Sequence, residues 1–378
     1  MKILIAPDKF KGSLSAQEVC EAIEKGIKRF DASIETIKHP LADGGEGTLY
    51  ILQNYFNLEP ITIPVQDPLF NWINASYMAS NDTAFIEMSN ASGLQLLDKK
   101  NQNCYNTSTI GTGQLIYDAI EKGFKNINLF IGGSATNDAG IGMASALGYR
   151  FYDSENKLIK PIGKELINIS KIDASSLYFN LNTINFTVIC DVKNPLYGKN
   201  GAAFTYGKQK GASDEELNLL DLGLENFSNK VLKHLNKAIA TIEGAGAAGG
   251  LGAGAICFLN ANMKSGIDFV MDQTQFKQYL NQNIDLIITG EGSVDKQTLE
   301  GKVVKGISTI AIQNNIPFYI IAGIVKDRQL IEKHLKPSGV NSIMELEVSF
   351  EDAIKNASKY LNAIAYGIVR NLDKYKFI

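Results

Sequence analysis

Strand-like and helix-like hydrophobic patterns alternate at both ends of this chain, and that alternation limits its fold more than any other feature. Residues 2–6 read as a strand, apolar throughout after Lys2, and residues 15–29 carry apolar side chains at helical spacing. Ser15, followed three positions on by Glu18, fits a capping box at the start of that helix. A second strand pattern covers 34–38, a second helix 46–56 and a third strand 60–65. The C-terminal part repeats the rhythm: strand 284–289, helix 302–314, strand 317–322, helix 328–335, strand 342–346 and a long helix over 351–371. Strands that alternate with helices predict a parallel sheet with helices on both faces.

The middle of the chain has a different texture. Two strand patterns, 73–79 and 84–88, are joined by Ser80-Asn-Asp-Thr83 and read as a hairpin. A polar loop over 92–108, a helix over 113–122 and a strand over 127–131 follow. The stretch 153–181 is polar and irregular. With 378 residues the chain exceeds the usual size of one core. The expected fold class is therefore α/β in two domains. Residues 1–64 and 284–378 form an outer Rossmann- or flavodoxin-like parallel-sheet domain, and 65–283 form a second α/β domain inserted into it.

Composition removes several function classes. The net charge is −3 and the basic residues are scattered, which leaves no electrostatic footprint for nucleic acid or an anionic membrane. The N-terminal apolar run is too short for a secretory signal, and the small-residue run 244–259 falls short of a spanning helix. Cys20, Cys104, Cys190 and Cys257 form no CxxC pair and lie far from the histidines, which argues against a zinc site or disulfide framework. They read as buried thiols of a reducing cytoplasm. The segment Gly244-Ala-Gly-Ala-Ala-Gly249 matches GxGxxG, but a helix-patterned stretch precedes it where a dinucleotide fingerprint needs a strand. No GxxxxGK[ST] sequence exists in the chain.

What remains is a set of glycine-anchored loops that follow apolar runs. They are Ala6-Pro-Asp-Lys-Phe-Lys-Gly-Ser13, Ala42-Asp-Gly-Gly-Glu-Gly-Thr48, Gly132-Gly-Ser-Ala-Thr-Asn-Asp-Ala-Gly140, Cys190-Asp-Val-Lys-Asn194 and Gly290-Glu-Gly-Ser-Val-Asp295. A glycine after a strand allows a tight turn and close approach to a ligand. The N–H groups of such turns bind anions. Acids and lysines beside them suit phosphoryl transfer, a divalent cation or a substrate hydroxyl. Asp43, Glu46 and Asp191 are candidate bases or metal ligands, and Lys9 and Lys11 can neutralise phosphate or carboxylate charge. Ser213 with Glu216 is a capping box and is assigned to structure alone.

In this order, and over nearly the whole chain, these segments resemble the bacterial glycerate kinase type I family. The stretches 6–16, 40–48, 131–142, 190–198, 243–254 and 285–295 carry the resemblance, with Lys9 standing where serine is frequent in the family. The resemblance implies ATP-dependent phosphorylation of D-glycerate, usually to 2-phosphoglycerate, in the breakdown of glyoxylate, glucarate or galactarate. It also implies two α/β domains with the active site in the cleft between them. On chemical grounds Asp191 or Asp43 takes the base role, Lys11 meets the developing phosphoryl charge, and Glu291 or Asp295 contacts Mg²⁺. Gly132, Gly133, Ser134, Gly290, Gly292 and Ser293 are expected at the ATP phosphates. Asp8 and Ser13 join the substrate site, and Lys9, Lys193 or Lys208 is the cation for the glycerate carboxylate. Regiochemistry at O2 or O3, a related hydroxy-acid substrate and a non-catalytic sensor on the same fold are the competing readings.

Overall fold

The computed structural model describes residues 1–45 and 48–374. Glu46 and Gly47, and with them the expected start of the second helix, lie outside the described residues. The strands in chain order are β1 Lys2–Ile5, β2 Glu35–Lys38, β3 Glu59–Gln66, β4 Trp72–Ser80, β5 Thr83–Glu87, β6 Asn126–Phe130 and β7 Arg150–Tyr152. They continue with β8 Lys171–Asp173, β9 Asn185–Ile189, β10 Asn262–Lys264, β11 Leu286–Val294, β12 Phe318–Val325 and β13 Gly339–Ser342. The chain divides into two compact units, Met1–Tyr55 with Ser265–Ile378, and Phe56–Lys264.

The first unit carries a five-stranded parallel sheet in the order β13-β12-β11-β1-β2. The helix Ala16–Phe30 begins with the Ser15/Glu18 capping box, both halves of which are formed. Its buried face, Val19, Cys20, Ile23 and Ile27, packs with Leu361, Ala365 and Val369 of the C-terminal helix and with Ile3 and Ile5 of β1. Gly26 brings the two helices together, because a Cβ there would lie 2.2 Å from the Asn362 carbonyl oxygen. The chain is α/β, and this layer of helices on a parallel sheet is what the terminal alternation dictates.

The second unit has a six-stranded mixed sheet in the order β10-β9-β6-β5-β4-β3 and a small antiparallel pair, β7-β8. Strands β5, β6, β9 and β10 run parallel, and β3 and β4 join antiparallel at one side. The β4–β5 hairpin turns at Asn81, whose φ of 53° is left-handed. The 22-residue helix Asp214–Leu235 starts at the Ser213/Glu216 capping box. Its Leu220, Leu224 and Phe227 are fully buried.

The helix expected over 351–371 is two, Phe350–Lys355 and the C-terminal helix Ala357–Lys374, and three further elements differ from the sequence reading, each for a local reason. The strand expected over 60–65 in the outer sheet is β3 of the other sheet. Asp67 accepts from the N–H groups of Leu69 and Asn71 and folds the chain straight back into an eight-residue antiparallel ladder with β4. Pro60 and Pro64 lack N–H donors and are tolerated because β3 is an edge strand. With β3 in the mixed sheet, the N-terminal segment of the first unit ends at Tyr55. Residues 290–294, expected as a loop, continue β11 beside β12. The strand expected over 342–346 ends at Ser342, and a 3₁₀ turn, Ile343–Leu346, follows. Among the described residues no helix is long and apolar enough to cross a membrane.

Candidate functional site

The first unit builds an acid-rich pocket at the C-terminal ends of β1 and β11, the end where open α/β sheets place ligands. Beyond β1, the N–H groups of Ala6 and Asp8 donate to the carbonyls of Ile288 and Gly290, so the chain stays beside β11 as far as Asp8. Asp8 is 6% exposed, and one carboxylate oxygen accepts from the Lys9 N–H at 2.6 Å. Burial lifts its pKa to about 7, and the neighbouring charges of Asp43 and Glu291 push the same way. Glu291, on β11, is 4% exposed. It accepts a very short hydrogen bond from the Thr298 hydroxyl and lies 3.7 Å from the Lys302 ammonium. Burial raises Glu291 to about 7 despite those two partners.

Asp8, Lys9, Lys11, Asp43, Glu291 and Lys302 share one cavity of about 310 Å³ with Ser13, Gly292 and Ser293. The opposite wall is apolar, made by Ile324, Ile343, Met344, Phe350 and Ile354. Asp43 is placed by packing: its backbone carbonyl lies where a Cβ on Gly266 would come within 1.9 Å, so its loop rests on the first turn of the helix Gly266–Gln273. Gly292 is the close-approach glycine of β11, since a Cβ there would meet the Lys11 nitrogen at 3.2 Å.

The other residues singled out in the sequence divide differently. Gly290 is structural, because the Ile321 carbonyl oxygen would sit 1.9 Å from a Cβ. Asp295 caps the 3₁₀ turn Lys296–Glu300 by accepting from the Gln297 N–H, and it does not line the cavity. The Ser13 hydroxyl donates to the Ile354 carbonyl at 2.5 Å and so pins its loop.

Gly132, Gly133 and Ser134 belong to a different cavity, of about 330 Å³, within the second unit. Its lining includes Val192, the residue after Asp191, together with Tyr206, Gln209 and Lys210. Asp191 itself is half-buried just beyond β9. Lys193 is exposed and 3.7 Å from Glu243, and exposed Lys208 pairs with Asp214 at 2.9 Å. The GxGxxG segment packs backbone on backbone: a Cβ on Gly249 would lie 2.0 Å from the Thr136 carbonyl oxygen.

A family model described as "Glycerate kinase family" matches residues 3–373. The chain belongs to the glycerate kinase family. It is 41% identical over 370 residues to a glycerate kinase of Bacillus cereus, covering 97% of both chains. It is 40% identical over 371 residues to the glycerate 2-kinase of Escherichia coli, again covering 97% of each. A solved structure named as glycerate kinase 2 from Salmonella typhimurium LT2 superposes with a TM-score of 0.85 at 38% identity over 100% of both chains. As a glycerate kinase family member the chain is an enzyme, a phosphotransferase.

Two cationic groups of these cavities had no assigned role in the sequence. Lys302 lies just past the β11 acids, and nothing in the chain marks it apart from other surface lysines. Lys210 stands in the glycine-flanked segment 207–211, a visible signal, but only the fold shows that the side chain is buried.

Proposed function

We propose that this enzyme transfers the terminal phosphoryl group of ATP to a hydroxyl of D-glycerate, giving 2-phosphoglycerate. The observation that carries the reading is the cavity of the first unit, where three carboxyl groups and three lysines face an apolar wall. The apolar side, Ile324, Met344 and Phe350, suits a purine, and the charged side suits its phosphates. Lys11 and Lys302 meet phosphate charge as point cations. Gly292 lets β11 lie close against the Phe10–Lys11 backbone of the loop that carries Lys9 and Lys11.

Mg²⁺ is commonly held by one or two carboxylates together with substrate phosphates rather than by an all-protein cage. The acids fit that pattern. The charge of Asp43 raises the proton affinity of both Asp8 and Glu291, and among the described residues no cluster of three or more metal-binding side chains holds a cation unaided. Glu291 with one of Asp8 and Asp43 would hold the ion together with substrate phosphates, and the ion when bound would neutralise charge on the transferring phosphoryl group. Asp295, committed to its cap, leaves that role to Glu291. Asp191, beside the lining of the second cavity, is the base for the substrate hydroxyl, and Asp43 is its alternative.

The test is ATP consumption by the purified protein with D-glycerate and Mg²⁺ supplied separately and together, with the product identified by phosphorus NMR. Turnover only with both, and a phosphorus signal coupled to the C2 proton, is the expected result. A 3-phosphoglycerate product corrects the regiochemistry, and no turnover over a panel of small hydroxy acids sinks the reading. Asp191→Asn should lower kcat by roughly 10²–10⁴-fold as a lost general base. Near-parental kcat moves the role to Asp43.

A further inference from the structure

The second unit holds a buried cation that the acid-rich pocket does not use. Lys210 is 5% exposed, and its ammonium donates to Ser134 Oγ at 2.5 Å and to the Thr136 carbonyl at 2.9 Å. Neither acceptor carries a charge. Beside the Cys104 thiol, the acid that influences Lys210 is Asp138, whose carboxylate already accepts from the Thr109 N–H and hydroxyl and from the N–H groups of Gly140 and Gly142. An ammonium has three donors, and the third has no acceptor among the described residues. Keeping such a charge out of water without a counter-ion is costly. Burial accordingly holds the Lys210 pKa down to about 8.

This lysine lines the cavity of about 330 Å³ together with Gly132, Gly133, Ser134, Tyr206 and Gln209. Gly133 adopts a left-handed φ of 74°, which shapes an exposed turn there. Among the described residues no Asp or Glu lines the cavity. We infer that it takes the carboxylate of the small hydroxy-acid substrate, with Lys210 as the counter-ion. The inference rests on the glycerate kinase reading and replaces the assignment of Gly132, Gly133 and Ser134 to ATP.

Charge balance decides between the two ligands. One desolvated lysine matches one carboxylate. A triphosphate brings several negative charges and a divalent cation, and this lining offers that cation no acid ligand. The partners suit a hydroxy acid as well. Ser134 accepts from Lys210, which leaves its own hydroxyl hydrogen to donate to a carboxylate oxygen. Tyr206 donates to Asn194 Oδ1 at 2.7 Å and is thereby fixed in place, and Gln209 offers both a donor and an acceptor to the substrate hydroxyls.

Lys210→Met, Lys210→Arg and Ser134→Ala, prepared in the full chain, test this by kinetics with D-glycerate and ATP varied separately, and by calorimetry with D-glycerate alone. Loss of a charge-assisted pair predicts a rise of roughly 10²-fold in KM and Kd for D-glycerate in Lys210→Met, with the KM for ATP unmoved. Ser134→Ala should show a smaller rise of the same kind, and Lys210→Arg should recover part of the loss. Thermal unfolding checks each fold; if Lys210→Met does not fold, Ser134→Ala decides. Unchanged D-glycerate constants, or a raised KM for ATP in place of D-glycerate, overturn the inference. A parent protein that binds D-glycerate without turnover defeats the kinase reading yet supports this site if Lys210→Met abolishes the binding. No binding by the parent refutes the site.

Discussion

Asp8 and its neighbours make the first-unit pocket a liability to stability at neutral pH. Asp8 rises from 3.8 in the unfolded chain to about 7 in the folded one. Between those values the unfolded chain has released the proton and the folded chain still holds it, so stability falls as pH rises through that window. Below about 4 both states are protonated and the effect vanishes. His39 has the opposite sign: burial holds it down to about 4, so its contribution is lost as pH falls from 6.5 toward that value. Glu291, also raised to about 7, adds to the Asp8 trend and His39 opposes it, so only a difference between variant and parent isolates Asp8. Asp8→Asn keeps an acceptor for the Lys9 N–H and removes the charge. In chelator and without substrate, its stability relative to the parent should be near level at pH 4 and rise by up to about 4 kcal/mol by pH 8. Urea unfolding at several pH values measures this. A gap that stays constant across the range means Asp8 is not held neutral. The same substitution should impair catalysis, so stability and activity move in opposite directions, as expected where function maintains an unfavourable charge cluster.

At the scale of elements, glycines decide where the acids stand. Gly266 opens the helix that supports the Asp43 loop, and Gly266→Ala would drive a methyl group to 1.9 Å from the Asp43 carbonyl oxygen. The loop must shift, and a displacement of about 1 Å at a reacting group costs on the order of 10²-fold in rate. Gly367→Ala, on the C-terminal helix with nothing within 4 Å of the new Cβ, is the matched control. It should stabilise the protein by about 0.5–1 kcal/mol with kcat unchanged. Equal kcat in the two variants would show that the Asp43 loop does not depend on the helix start. A different glycine effect operates in the second unit, where Ala248, Gly249 and Gly250 are all left-handed and form a kink near the start of the segment Ala247–Leu259. Ala248 alone carries a Cβ in that conformation, at a cost of about 1–2 kcal/mol. Ala248→Gly should therefore raise stability by up to about 1 kcal/mol once the added backbone entropy of glycine is subtracted. A lower melting temperature would show that the Cβ packing of Ala248 outweighs its strain. These elements also show what was legible beforehand. The capping boxes at Ser15 and Ser213, the hairpin at 80–83 and the alternating strands are local signals, and the fold contains them. The pairing of β3 was not legible, since an isolated strand pattern does not state its sheet; the Asp67 turn decides it. The extension of β11 through Gly290 and Gly292 was hidden because glycine signals a loop unless a neighbouring backbone, here β12, needs the room.

For the molecule as a whole, the same limit applies to the site. Acids at strand ends could be read from the chain, and Asp8, Asp43 and Glu291 do share a pocket. Which loops share which cavity could not, because that depends on the sheet order. Gly132 to Ser134 and Gly292 to Ser293 look alike in sequence, yet they line cavities in different units. Nor does a sequence distinguish a buried lysine from an exposed one: Lys208 and Lys210 are two residues apart, one paired on the surface and one buried. The division into units has a further consequence. The second unit is one continuous segment, Phe56–Lys264, and every strand of its mixed sheet lies within it. Its core, from Val65 and Tyr77 through Leu129 and Phe227 to Phe258, is drawn wholly from that segment. The first unit is made of two segments, and β1 must insert between β2 and β11 from opposite ends of the chain. A complete sheet with its own core meets the requirement for independent folding. Residues 56–264 expressed alone should thus give a cooperative thermal transition with a native-like far-ultraviolet spectrum, and should retain D-glycerate binding if Lys210 is its anchor. Residues 1–55 alone, with only β1 and β2, should stay unfolded. A 56–264 fragment that melts without cooperativity or binds a hydrophobic dye as a molten globule would show that its core depends on the rest of the chain.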